Sequence, residues 1–177
     1  MQPARSSLLA TVLAISAGGA AHAQILDPIV HEATIEAPIA VVWEAWTTSE
    51  GLRSWMAPHA EIDARIGGIM RSNYNAAEGL DGPNAIENVV LSLEPYRMLS
   101  FRVSKAPDDF PFPNAVKHMW SVLYLDELGP DETHIRIVSA GFGSDEESQN
   151  MRAFFVRGNA FTLEQLERRF AAPTPSW

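Results

Sequence analysis

Two polar residues interrupt the apolar face of the last long helical segment. At about 100° per residue, Arg152 and Asn159 lie near the middle of a stripe made by Met151, Phe155, Leu163, Leu166 and Phe170. A buried charge without a partner is costly, so Arg152 must pair with an acid, reach water or meet a ligand. As ligand groups, Arg152 would receive an anionic or carbonyl group at a pocket mouth and Asn159 a second polar atom. A structural ion pair of Arg152 remains the alternative.

Metal binding and nucleophilic catalysis find little support in the residue pattern. Outside the first 23 residues the histidines are His31, His59, His118 and His134, and they lack metal-ligand spacing. There is no cysteine, no Gly-x-Ser-x-Gly and neither of the glycine patterns that bind phosphate. We therefore predict no metal, no cofactor and no catalytic residue, and we interpret Gly67-Gly68 as a turn or bulge.

The first 23 residues have the pattern of a secretory signal peptide. Arg5 precedes an apolar run at 8–17, and Ala-His-Ala at 21–23 is typical of a cleavage site. The run is too short for a membrane span, which needs about 20 residues. We predict a mature domain at 24–172, a tail at 173–177, and a periplasmic or secreted location. Without cysteines, the fold has to rely on its core alone.

The charge of the chain excludes two classes of partner. The formal net charge is −9, and cleavage would remove Arg5 and leave −10. Nucleic acids and anionic membranes require clustered Lys and Arg, so we expect neither as a partner. After the signal no apolar run is long enough to insert into a membrane.

The periodicity predicts a strand, two short helices, about six consecutive strands and a long helix. Ser144 and Glu147 resemble a capping box for the last helix, and Ser49 is the predicted cap of the second. Consecutive strands with short links favour an antiparallel meander and an α+β fold, with room between a twisted sheet and the helix. The predicted strands are 31–36, 61–66, 69–75, 86–93, 98–104, 116–125 and 133–140, and the helices are 39–46, 50–56 and 144–170.

Several short motifs occur in a recognisable order between residues 30 and 170. They are Ala37-Pro38, Val42-Trp43, Leu52 with Trp55-Met56 and Pro58, Ile66-Gly67-Gly68, Glu94-Pro95 before Leu99 and Phe101, Thr133, and Gly141-Phe142. Together they resemble the SRPBCC (START-like, birch-pollen-allergen-like) superfamily, and within it the branch named after the activator of the ninety-kilodalton heat-shock protein's ATPase. The resemblance implies a helix-grip fold, in which a curved antiparallel sheet of about six to seven strands wraps a long C-terminal helix around a cavity for a small apolar ligand.

One position departs from the family pattern. The family usually has Gly-Trp in the last helix, whereas this chain has Gly158-Asn159. A small amide in place of an indole should enlarge the cavity and supply a hydrogen-bonding point, if nothing else fills the gap.

The candidate cavity residues come from several elements. They are Trp46, Trp55, Met70, Phe101 and Phe155, joined by Met119, Ser121, Leu123, Ile137 and Ser139 if the strand register follows the family. A slip of one residue would instead turn His118, Trp120, Val122 and Tyr124 inward. Phe110 and Phe112 are expected at the mouth.

Two functions are compatible with these residues. The first is an exported protein that holds a hydrophobic or amphipathic small molecule, as a monomer or homodimer. The second, suggested by the superfamily, is a cofactor-free enzyme of polyketide cyclase type, with Arg152, Asn159 and either His31 or His118 as base. Co-chaperone work is disfavoured, because export removes the protein from cytoplasmic ATP. Fold resemblance alone does not decide between them.

Overall fold

The computed structural model describes residues 25–171, so the predicted signal peptide and tail lie outside the described residues. In chain order the elements are β1 (Ile29–Ile35), α1 (Ile39–Thr47), α2 (Ser49–Arg53), β2 (His59–Ile62), β3 (Ile69–Asn73), β4 (Ile86–Glu94), β5 (Met98–Lys105), a 3₁₀ turn (Ala115–His118), β6 (Trp120–Gly129), β7 (Glu132–Ala140) and α3 (Glu146–Ala171). None of the helices within 25–171 combines the length and hydropathy needed to span a membrane.

The strands form one antiparallel sheet in the order β1-β7-β6-β5-β4-β3-β2. From β2 to β7 each strand pairs with the next in sequence, as expected for a meander, and β1 closes the β7 edge. The sheet curls around α3, and the short helices α1 and α2 follow β1. The α+β class and the helix-grip architecture are therefore confirmed.

The core consists of two apolar clusters along α3. The larger cluster contains Leu163 and Leu166 with residues of α1, α2 and the central strands. The smaller cluster contains Met151 with Phe142, Val116 of the 3₁₀ turn and Ile29 of β1. Helix α3 is therefore fixed to the sheet at both of its ends.

The predicted capping box of α3 is wrong. The cap is Asp145, whose carboxylate accepts the Ser148 amide at 2.9 Å and the Ser148 hydroxyl at 2.8 Å. These two hydrogen bonds hold the pKa of the Asp145 carboxyl below its usual range. Glu147 does not fold back on Ser144, because its carboxylate accepts the amides of Asn114, at 2.8 Å, and Ala115, at 3.1 Å.

Three other predicted details differ from the structure. Thr48, not Ser49, caps α2, since its hydroxyl accepts the Gly51 amide at 2.9 Å and Ser49 Oγ is occupied by the Ile62 amide. The first residues of the strand predicted at 116–125 form the 3₁₀ turn instead, with Val116 buried in the smaller cluster, and β6 begins only at Trp120. The strand predicted at 61–66 covers only His59–Ile62, because residues 63–68 form the turn into β3.

Gly141 is required by the close approach of two backbone segments. Its φ is +92°, and a Cβ there would overlap the carbonyl oxygen of His118. We expect Gly141→Ala to lower the free energy of unfolding, measured by urea denaturation, by about 1–3 kcal/mol. Gly129→Ala is the matched control, because a Cβ at Gly129 meets nothing within 4 Å. Equal effects of the two substitutions would contradict this account.

The link from Glu147 to the 3₁₀ turn should depend on pH. Hydrogen bonds from Ala115 and then Asn114 lower the pKa of the Glu147 carboxyl. A lowered folded-state pKa contributes stability above the ordinary glutamate pKa of about 4.3, and that stability is lost as pH falls through the folded value. Wild type should therefore melt above Glu147→Gln at pH 7, and the difference in melting temperature should shrink as the pH falls below about 4.3.

Glu146→Gln is the control for this prediction. Glu146 lies in the same first turn of α3 but makes no side-chain hydrogen bond or ion pair within residues 25–171. A difference between wild type and Glu147→Gln that stays constant from pH 7 to pH 3 would contradict the assigned role.

Candidate functional site

A cavity of about 340 Å³ lies between α3 and the concave face of the sheet. This volume falls within the range of small-molecule sites, about 300–1,000 Å³. Most of its lining is apolar, including Trp46, Met70, Phe101, Ile137 and Phe155. The neutral polar groups in the lining include those of Ser72, Asn88, Ser121, Asn159 and Thr162. The site can therefore enclose an apolar body and hydrogen-bond to a few polar atoms on it.

The cavity lies beneath the middle of α3, between the two clusters that hold its ends. Gly158 and Asn159 line it there, and a Cβ built on Gly158 meets no atom within 4 Å. The space beneath Gly158 and Asn159 is therefore open as far as residues 25–171 are concerned.

A short hydrogen-bond chain joins the helix to the sheet at this point. Asn159 Nδ2 donates to Ser139 Oγ at 2.9 Å, and Ser139 Oγ is 2.8 Å from Ser121 Oγ. Ser139 is fully buried, so its proton needs an acceptor, and Ser121 Oγ is within reach. With that direction, the Ser121 hydroxyl proton and the Asn159 carbonyl oxygen remain for a molecule in the cavity.

The structure brings most of the predicted site residues together. Met70, Phe101, Met119, Ser121, Ile137, Phe155 and Asn159 line the cavity, as does Trp46. Ser139 is behind the lining and is linked to it through Asn159. Trp55 and Leu123 belong to the larger core cluster, and the Trp55 indole donates to the Ala45 carbonyl at 2.9 Å. Whether any of these residues contacts a ligand stays a prediction.

Of the two alternative inward faces of β6, the strand register turns the one that contains Ser121 towards the helix. Ser121 pairs with Phe101 on β5 and with Ser139 on β7, all on the concave face. Tyr124 lies on the other face, where the Arg136 guanidinium is 4.4 Å from its ring centroid. Trp120 nevertheless borders the cavity, because it stands at the open end of β6.

Arg152 is not in the cavity, contrary to our expectation. Its Nε donates to the Asp27 carbonyl at 3.1 Å, so within residues 25–171 its partner is a backbone oxygen and not a carboxylate. The segment before β1 runs beside α3, held by the Leu26 amide on the Phe142 carbonyl at 2.8 Å. The long arginine side chain can extend along the helix surface to such a segment.

The histidines proposed as bases also lie outside the lining. His31 is opposite Ile137 in the β1–β7 pairing, and its Nδ1 is buried without a partner within the described residues. His118 is exposed at the end of the 3₁₀ turn. No cluster of three potential metal-ligating side chains occurs in residues 25–171.

Sequence reasoning missed several lining residues. Tyr74, Asn88, Arg102, Phe154 and Phe161 line the cavity, yet none was singled out. Phe154 and Phe161 are seven residues apart on one face of α3, and this spacing of exposed aromatics is a signal that could have found them. Arg102 had no comparable signal, because it lies on the outward-alternating positions of β5.

Phe110, which we expected at the mouth, lines the cavity, and Phe112 packs against it. Their ring centroids are 5.5 Å apart, and the Phe154 ring lies 5.8 Å from Phe110 and 5.9 Å from Phe112. Phe110 and Phe154 both line the cavity. The loop after β5 is thus packed directly on α3 beside the cavity.

A curled antiparallel sheet around one long helix, with a cavity between them, defines the helix-grip class within the SRPBCC superfamily. The chain belongs to the family described as "Activator of Hsp90 ATPase homolog 1-like protein", whose model matches residues 36–171. The family resemblance inferred from the motifs is thereby confirmed. No curated protein matches the chain.

Solved structures share this fold at low sequence identity. The Aha1 dimer from Colwellia psychrerythraea has a TM-score of 0.64 and 16% identity, covering 82% of this chain and 96% of that one. CalU16 from Micromonospora echinospora has a TM-score of 0.60 and 23% identity, with coverages of 84% and 76%. DynU16, a putative protein in the dynemicin biosynthetic locus, has a TM-score of 0.61 and 19% identity, with coverages of 84% and 49%.

The hydrogen bond between Asn159 and Ser139 can be measured with a double-mutant cycle. We expect Ser139→Ala and Asn159→Ala to show a coupling of about 0.5–1.5 kcal/mol in urea denaturation, because each removes one partner of the same bond. A second cycle of Ser139→Ala with Thr162→Ala should show almost none, since Thr162 donates to the Gly158 carbonyl instead. Equal coupling in both cycles would contradict the assigned bond.

Proposed function

We propose that this protein binds a hydrophobic or amphipathic small molecule between its sheet and α3. The observation that carries the proposal is the unfilled space beneath Gly158 and Asn159. Protein interiors are normally packed as densely as organic crystals, so a space of this size in a sheet–helix core requires an explanation. An apolar guest would gain favourable burial there at about 25 cal/mol per Å² of apolar surface.

The polar groups of the lining support binding more directly than acid–base chemistry. The ionisable side chains among the lining residues are Tyr74 and Arg102, while His31 and His118 are elsewhere. A general base must come within hydrogen-bond reach of the proton that it removes. The cyclase-type enzyme therefore remains the alternative, favoured only by the relation to a protein encoded in a biosynthetic locus.

Location and assembly belong to the same proposal. The pattern of residues 1–23 supports export to the periplasm or secretion, which sequencing the N-terminus of the mature protein would test. A homodimer is compatible with the dimeric Colwellia relative, and a monomer is the alternative.

Filling the cavity tests the proposed function. Asn159→Trp would put an indole into the space, and we expect it to weaken binding of the neutral dye Nile red at least about tenfold. Asn159→Ala removes the amide without filling the space, so it should keep binding within about threefold of wild type. Fluorescence titration measures both, and melting curves confirm that each variant is folded.

Two results would contradict the proposal. One is a folded Asn159→Trp variant that binds the dye as tightly as wild type, and the other is a wild type that binds no neutral apolar probe. Native mass spectrometry of protein purified from its own cells should in addition detect a bound small molecule.

A further inference from the structure

We propose that the natural ligand is an amphipathic carboxylate whose anionic group is held by Arg102 where β5 and β6 separate. This inference rests on the proposed function and adds the charge and orientation of the ligand. It is carried by three observations: a break in strand pairing beside the cavity, an arginine at that break without a partner among residues 25–171, and an apolar interior beneath it.

The sheet opens beside the cavity. Pairing between β5 and β6 ends at Phe101 and Ser121, although β5 continues to Lys105 and β6 begins at Trp120. Beyond that point β5 remains paired with β4 alone, and the chain before β6 forms the 3₁₀ turn. Arg102 and Val103 line the cavity from one side of the separation, and Met119 and Trp120 line it from the other. The cavity therefore extends to this break in the sheet, as well as to the aromatic side chains beside α3.

Arg102 is one of two arginines within residues 25–171 that have no hydrogen-bond or ion-pair partner there. Arg71 contacts three carboxylates at 2.9–3.3 Å, and Arg152 and Arg53 each donate to a backbone carbonyl. Within residues 25–171, Arg102 and Arg157 form neither an ion pair nor a side-chain hydrogen bond. Of these two, Arg102 lines the cavity and Arg157 does not. An unpaired guanidinium at a cavity rim can form two parallel hydrogen bonds with a carboxylate.

The surroundings of Arg102 select an amphipathic ligand over a small free anion. Phe101 and Met119 line the cavity beside the break, and the neighbouring Trp120 is 41% exposed. The chain carries a net charge of −9, so its overall field repels free anions. Affinity must therefore come from burial of an apolar body, while the guanidinium fixes which end stays at the surface.

The test compares a carboxylate with its neutral isostere. Wild type should bind 2-naphthoate about five- to tenfold more tightly than 2-naphthalenemethanol at pH 7, measured by displacement of Nile red. In Arg102→Gln this preference should disappear, because the affinity for 2-naphthoate falls relative to the affinity for 2-naphthalenemethanol. Arg157→Gln is the matched control, because it removes an equally unpaired arginine outside the cavity and should keep the preference.

Each outcome separates this inference from the proposed function. If wild type binds both compounds equally, or if Arg102→Gln keeps the preference, the carboxylate site is wrong and the cavity function stands. If wild type binds neither compound nor the dye, the proposed function itself fails. If Arg157→Gln loses the preference as Arg102→Gln does, the effect is one of overall charge and the assignment to Arg102 is wrong.

Discussion

Apolar packing fixes α3 to the sheet at both ends, whereas in the middle the two are joined by the hydrogen bond from Asn159 to Ser139, and the rest of the structure depends on this difference. Met151 is buried among the side chains of the smaller cluster, and Leu163 and Leu166 are buried in the larger one. Between them the helix presents Gly158 and Asn159, which are too small to reach the strands with apolar atoms. The helix is rigid over this span, so it cannot bend inward to close the gap. A cavity follows from the difference in side-chain size along one helix face.

The sheet contributes a matching region of small polar side chains. Ser121 and Ser139 stand on neighbouring strands where larger residues would have filled the space, and the Asn159 amide reaches them across the interior. These hydrogen bonds fix the distance between α3 and the sheet, and they leave the Ser121 proton and the Asn159 carbonyl oxygen free to bond to a molecule in the cavity. The Glu147 contacts have a similar role at the N-terminal end of α3, because they hold the 3₁₀ turn and its buried Val116 against the start of the helix. Both sets of hydrogen bonds position the lining residues without filling the cavity.

The predicted elements succeed where local pattern and burial agree, and the failures have identifiable causes. In β5 and β7 the alternation of apolar and polar residues matches the faces that the sheet buries. The bounds of both strands therefore lie within one residue of those predicted. Ser144 and Asp145 are adjacent plausible caps, and only the competing demand of the Asn114 and Ala115 amides for Glu147 decides between them. Arg152 lies near the apolar stripe in a helical projection, yet its partner is a carbonyl of the segment before β1, remote in sequence.

The sequence by itself determined an α+β meander through its periodicity, and a small side chain at position 159. The order of its motifs resembles one family, and that resemblance implied the helix-grip fold. Only the tertiary structure decided which strand face turns inward, that Arg152 lies outside the cavity, and that Arg102 stands at an opening in the sheet. The physical reason is that strand register and the partners of long charged side chains depend on segments distant in the chain. No local pattern of residues records where those segments return.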